Sequence, residues 1–158
     1  MQNLINWIEI PATNIHRAIK FYSAILDLEI QEAEFFGIEK GTMPGADKTK
    51  KGKLDLADGG TLYIHDVADL KIEVQTKLFR YLQERKYLRF GGTQFVENDV
   101  RIIAASSKNL EELVKQGNFR EDLYHRLNVV PFRIPALKER PEDIPVLISY
   151  FSDNLSRE

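Results

Sequence analysis

The chain has 158 residues, 43% hydrophobic and 29% charged, with a formal net charge of −2. That size suits one compact domain with a buried core, and the near-balanced charge gives no global attraction to nucleic acid. With no cysteine, disulfides, thiol catalysis and thiolate metal sites are excluded. No apolar run reaches membrane-spanning length and no signal-peptide pattern opens the chain, so a cytoplasmic location is expected.

INWIEIP at 5–11 alternates and predicts a strand. Thr13 or Asn14 can cap a helix in which Ile15, Ala18, Ile19, Tyr22, Ile25 and Leu26 share one face. LEIQEAE at 28–34 alternates again and predicts a second strand. Glycines, a proline and the run KTKKGK then predict an exposed basic loop with little packing over 37–60. Such a loop is either simply solvated or in contact with phosphate or a partner. In GGTLYIHDV, at 59–67, TLYIHDV predicts a buried strand launched by a Gly-Gly turn. Asp69 can cap a following helix with Val74, Leu78, Tyr81 and Leu82 on one face. VRIIAA at 100–105 and NVVPFRI at 128–134 predict two more buried strands. Helices are predicted over 108–116 and 119–127, broken at Gly117. The last helix starts at Pro141, with Glu142 and Asp143 in its first turn and a stripe of Ile144, Leu147, Ile148, Phe151 and Leu155. Buried strands alternating with helices predict an α/β fold with a mainly parallel sheet.

Five stretches follow one another along 32–158: EAEFFGIEKG, GADKTKKGKLDLADGGTLYI, VQTKLFRYLQE, VRIIAAS and FREDLYHRLNVVPFRIPALKERPEDIP. In that order they resemble the central AAA+ domain of sigma-54-dependent transcription activators. The resemblance implies an incomplete AAA+ three-layer sandwich. Ahead of it, NWIEIPATNIHRAIKFYSAILDLEIQ resembles the opening βαβ unit of the vicinal-oxygen-chelate proteins, the glyoxalase and bleomycin-resistance group. Together the two imply a fusion of a unit at 1–31 with one at 32–158, natural or constructed, joined somewhere between 31 and 46. The βαβ unit could then complete the sheet, with the turn Pro11-Ala12-Thr13-Asn14 in place of a phosphate loop.

An ATPase of this class needs a grip on the phosphates, an acid on Mg²⁺, a polar residue that orients water, and an arginine from a neighbouring subunit. The gripping pattern GxxxxGK[ST] does not occur in the chain. Its nearest approach, GADKTKKGKL from Gly45 to Leu54, has six residues between glycines and ends on Leu54, which has no hydroxyl. The resemblance places His65 and Asp66 at the family's Asp-Glu pair, His65 at the Mg²⁺-holding position and Asp66 at the water-activating one. A neutral imidazole is a poor ligand for hard Mg²⁺. Ser106 and Ser107 stand at the family's Thr-Asn sensor, and Arg120 and Arg126 at its arginine fingers. The alternative for both arginines is ion pairing with Glu121 or Asp122 on a helix surface. The family's GAFTGA loop, which touches the sigma factor, corresponds to Gly41, Thr42, Met43, Pro44, Gly45 and Ala46. Here Pro44 fixes φ and removes a donor, and Met43 replaces a rigid aromatic ring. The family's C-terminal lid is not expected within these residues.

The expected outcome is a fragment unable to hydrolyse ATP alone, with no cofactor of its own and Mg-ATP implied only by the resemblance. Its partners would be sigma-54 RNA polymerase or other AAA+ subunits, and it carries no DNA-binding motif. Glu9 is a candidate metal ligand on the glyoxalase-like strand, though one carboxylate makes no metal site. His16 is expected at the surface and His125 in packing. Two alternatives stay open: a glyoxalase-like metal-dependent enzyme, and a recombinant or degraded chimera with no selected role.

Overall fold

The computed structural model describes residues 31–42 and 46–155. The strand expected at 5–11, the helix at 14–26, Glu9, His16, Met43, Pro44 and Gly45 lie outside the described residues.

Residues 31–36 are helical (α1) and a short helix α2, Lys53–Leu56, precedes strand β1, Thr61–Ile64. A 3-10 turn at Val67–Asp69 leads into helix α3, Ile72–Glu84, followed by strands β2, Lys86–Leu88, and β3, Phe95–Glu97. Strand β4, Arg101–Ala104, is followed by helices α4, Leu110–Lys115, and α5, Glu121–Leu127, and finally α6, Asp143–Leu155. β1 pairs in parallel with β4, from Thr61↔Arg101 to Ile64↔Ala104, while β2 and β3 form an antiparallel hairpin. A parallel pair cannot be joined by a tight turn, and α3 with the hairpin supplies the crossover. The fold is therefore mixed α/β with a parallel sheet, as expected.

The core is built around α3. Val74, Leu78, Tyr81 and Leu82 recur at helical spacing and are all buried, against Phe36, Leu54, Ile64, Val67, Val100 and Leu123. Tyr81 buries a hydroxyl there, and the oxygen accepts the Val100 N–H at 3.2 Å, tying the helix to the strand entry. The Gly-Gly turn lines up the two parallel strands: Gly59 N–H donates to Asp99 O, and Arg101 N–H to Gly60 O, each at 2.9 Å.

Several elements differ from expectation. Residues 31–34, read as part of a strand, are helical, since Gln, Glu and Ala favour helix and Gly37 at φ 77° stops it with an N–H bonded to Ala33 O. Asp69 is not the cap of α3: it ends the 3-10 turn, and Lys71 is the N-cap. The stretch 128–134 is not a strand, and Val129, Val130, Phe132 and Ile134 are all largely exposed. A strand needs a neighbour for its backbone groups, and among the described residues β4 pairs with β1 alone. α6 begins at Asp143 rather than Pro141, and its stripe of Ile144, Leu147, Ile148, Phe151 and Leu155 is exposed, no element among the described residues covering it. The 37–60 stretch is better packed than expected: Ile38, Ala46 and Leu54 are buried, while Lys48, Lys50, Lys51 and Lys53 stay at the surface.

Candidate functional site

His65 and Asp66 follow directly on β1, and Ser106 and Ser107 follow shortly after β4. Because Ile64 stands opposite Ala104, the parallel register brings both pairs to the same end of the sheet. Asp66 adopts a left-handed conformation, φ 52° and ψ 58°, which Asp tolerates better than most residues. One carboxylate oxygen, Oδ1, accepts both the N–H of Ser107, at 2.9 Å, and its hydroxyl, at 2.8 Å. The other, Oδ2, lies 2.8 Å from Nδ1 of the largely exposed His65. The Ser107 N–H, then its hydroxyl, hold the Asp66 carboxyl below the usual carboxylate range; slight burial opposes this and His65 assists. Beyond this trio, Lys108 bonds Asp69 at 2.5 Å, which keeps the ammonium charged.

The trio lacks the serine–imidazole arrangement of a nucleophile site. Ser107 donates its hydroxyl hydrogen to Asp66, and His65 is bonded to the same carboxylate rather than to the serine, so no imidazole faces the hydroxyl. Among the described residues no group of three or more His, Asp or Glu side chains could hold a metal ion.

A titration tests the trio. Since Asp66's folded pKa is depressed, its contribution to stability is present above the ordinary carboxyl pKa of about 3.9 and is lost as pH falls through the lower folded value. Ser107→Ala removes the hydroxyl but keeps the backbone N–H. In a carboxyl-carbon NMR titration, Asp66 should therefore move up towards the usual value yet remain below it. An unchanged midpoint would contradict the assigned hydrogen bond.

The arginines stand elsewhere, where α5 packs on α3. Arg120 donates from Nε and Nη2 to the two carboxylate oxygens of Asp122, at 3.0 and 2.6 Å, and from Nη1 to the Thr76 hydroxyl at 3.2 Å. The pair raises the Arg120 pKa and holds the Asp122 carboxyl low, chiefly through these side-chain hydrogen bonds. Of the two partners anticipated, it is Asp122 that pairs with Arg120. Arg126 instead donates to the Leu82 carbonyl at 3.1 Å, near the end of α3. No hydrogen bond or ion pair joins either arginine to His65, Asp66 or Ser107 among the described residues. His125, expected in packing, is largely exposed and lies beside Tyr124 and Glu121, because it sits on the outer face of α5.

The loop containing 41–46 is clamped at its base. Ile38 bridges to both Lys50 and Phe90, and the Gly41 N–H donates to Ala46 O at 2.8 Å across the loop. Thr42 turns back towards the hairpin: its hydroxyl lies 2.8 Å from Glu39 O and 3.2 Å from Phe90 O. Gly91 leaves room for it, since a Cβ there would fall 2.1 Å from Thr42 Oγ1. Sequence reasoning missed this clamp and the hairpin; the GG of RFGGTQF was the available signal.

An open cleft of about 860 Å³ beside β4 is lined by Gly60, Arg85, Asp99, Ile102, Arg126 and Val130, among others. Of the anticipated site residues it includes Arg126 alone.

Known proteins share sequence and fold with this chain. The family described as the Sigma-54 interaction domain matches residues 11–133. That match takes in 11–31, most of the stretch that resembles a glyoxalase-like unit, and gives the second resemblance no support. The Nif-specific regulatory protein of Enterobacter agglomerans is 50% identical over 132 residues, covering 84% of this chain and 26% of its own length. The DNA-binding transcriptional activator HyfR of Escherichia coli K12 is 42% identical over 139 residues, covering 88% of this chain and 21% of its own. Among solved structures, NtrX from Brucella abortus superposes with a TM-score of 0.75 at 46% identity, over 82% of this chain and 29% of that one. NtrX in complex with ATP gives 0.73 at 44% identity, over 81% and 28%. The chain thus spans between about a fifth and three tenths of the length of these relatives.

Proposed function

Because this chain belongs to the Sigma-54 interaction domain family, we propose that it is a contact-making fragment of an activator module that does not hydrolyse ATP by itself. The observation that carries this reading is the state of Asp66. At the position where the family activates water, its carboxylate is already engaged by Ser107 on one oxygen and by His65 on the other. His65 offers Mg²⁺ an imidazole in place of a carboxylate oxygen, and no GxxxxGK[ST] segment occurs among the 158 residues. These residues do not fit Mg-ATP held by one chain alone, although NtrX, a relative, has been solved in complex with ATP.

On this reading the chain works through surfaces it does present. Arg120 and Arg126 would act on a nucleotide held by a neighbouring subunit, where an arginine of this kind contributes ~10³–10⁵ in rate. The 41–46 loop would meet sigma-54 RNA polymerase with an altered centre, Thr42 being turned into the loop base. Both roles are those of a cytoplasmic transcription regulator. No helix among the described residues is long and apolar enough to cross a membrane.

The test is a thermal melt with and without Mg-ATP, paired with a phosphate-release assay. Ligand at 100 times its Kd would add about 2.7 kcal/mol, or several degrees of Tm for a chain of this size. No shift and no released phosphate are expected. Either a rise of that size or steady turnover would overturn the reading.

A further inference from the structure

Gln75 is fully buried in the middle of the apolar face of α3, where an unbonded amide would be costly. It is fully employed instead. Nε2 donates to Leu70 O at 2.8 Å and to Asn118 O at 3.2 Å, and Oε1 accepts the Arg120 N–H at 2.9 Å. One side chain therefore joins three segments: the end of the turn that follows Asp66, the loop before α5, and the N-cap residue of that helix. Arg120 is the N-cap of α5 and caps it with no side-chain bond of its own. The neighbouring Thr76 adds a second point of attachment by accepting from Arg120 Nη1.

We infer that Gln75 is a positioning residue for Arg120: it seats the start of α5 so that the guanidinium keeps one orientation towards a neighbouring subunit. This inference rests on the reading, given above, that Arg120 works on a nucleotide held in trans. The amide is suited to the task because it supplies two donors and an acceptor without charge. An apolar residue of the same size would fill the space and leave the Arg120 N–H, Leu70 O and Asn118 O without this partner. Asp122 then closes the seat from the other side, holding the guanidinium through two parallel bonds.

The experiment mixes this chain with a family member that carries an intact GxxxxGK[ST] segment but has its own two matching arginines replaced by alanine. ATP turnover in the mixture then depends on this chain. Wild type should restore turnover and Arg120→Ala should not. Gln75→Met should lower the restored kcat by ~10²-fold, the scale of a displacement of about 1 Å, with KM for ATP unchanged because the nucleotide sits on the partner. Restoration by Gln75→Met equal to wild type would overturn the inference while leaving the trans-arginine reading intact. If wild type restores nothing, that reading fails, and amide hydrogen exchange on the full chain decides for Gln75. The Arg120 N–H should exchange slowly in the wild type and fast in Gln75→Met, with α3 protected in both. Fast exchange of Arg120 in the wild type would overturn the seat without need of any variant, so a failure of Gln75→Met to fold leaves the inference testable.

Discussion

Gly52→Ala is expected to cost the fold about 3 kcal/mol, at the upper end of what overpacking does, and to lower Tm by roughly 6–12 °C. A Cβ at this position would stand 2.3 Å from Gly37 N, 2.5 Å from Phe35 O and 2.7 Å from Phe35 C. All three are backbone atoms, so no side chain can swing aside. Gly52 itself has φ −88°, which any residue adopts, so the requirement is for space and not for conformation. The approach is mutual, since a Cβ on Gly37 would lie 2.5 Å from Lys50 O. This backbone-to-backbone contact closes the base of the loop that carries 41–46, and opening it would also free the clamp at Thr42. Gly59→Ala is the control. Gly59 has open space around it but φ 72°, so it should show only the left-handed penalty of about 1–2 kcal/mol. Chemical denaturation of both variants is the measurement, and equal losses would show that the Gly37–Gly52 contact is not what matters.

Asp55→Ala should be as damaging, by about 3 kcal/mol, for an electrostatic reason. The Asp55 side chain is only 7% exposed, and it joins two parts of the fold. Oδ1 takes the Arg89 guanidinium at 2.7 Å and Oδ2 takes the Gly52 N–H at 3.0 Å. Truncation strands a mostly buried cation and an amide at once, and the stranded groups dominate the cost. Replacing both ion partners should therefore hurt less: Asp55→Ala with Arg89→Met is expected to recover much of what Asp55→Ala loses. A double cycle by urea denaturation reads this directly, and strict additivity would refute the account. Gly52 and Asp55 share the same hydrogen bond, so their single costs should not sum either.

The sequence was most legible where one face of an element meets the core. Val74, Leu78, Tyr81 and Leu82 define α3 by period alone. The strands expected at TLYIHDV and VRIIAA run only over Thr61–Ile64 and Arg101–Ala104. They are half-buried rather than buried, with Tyr63 and Ile103 exposed because one side of the pair lacks a covering element among the described residues. Gly117, at φ 73°, breaks α4 from α5 as expected. Legibility failed in two physical situations. Where a segment is short, as at 31–36, alternation and helix propensity compete and the alternation misled. Where burial depends on a neighbouring element, as for 128–134 and α6, an apolar pattern states a requirement without saying what meets it.

The candidate site divides along the same line. Sequence alone determined which residues follow one another along the chain: His65 and Asp66, then Ser106 and Ser107, then Arg120 and Arg126, with no GxxxxGK[ST] among the 158 residues. Those are covalent facts and need no fold. Only the tertiary structure decided what each side chain does with its charge. Asp66 turns to Ser107 and His65, Arg120 to Asp122 and Thr76, and Gln75, whose helical spacing suggests only a core position, joins the Leu70 turn to the N-cap residue of α5. Hydrogen-bond partners such as Gln75 and Arg120 lie 45 residues apart. Their pairing is set by how helices and strands pack, a long-range property that no local pattern encodes.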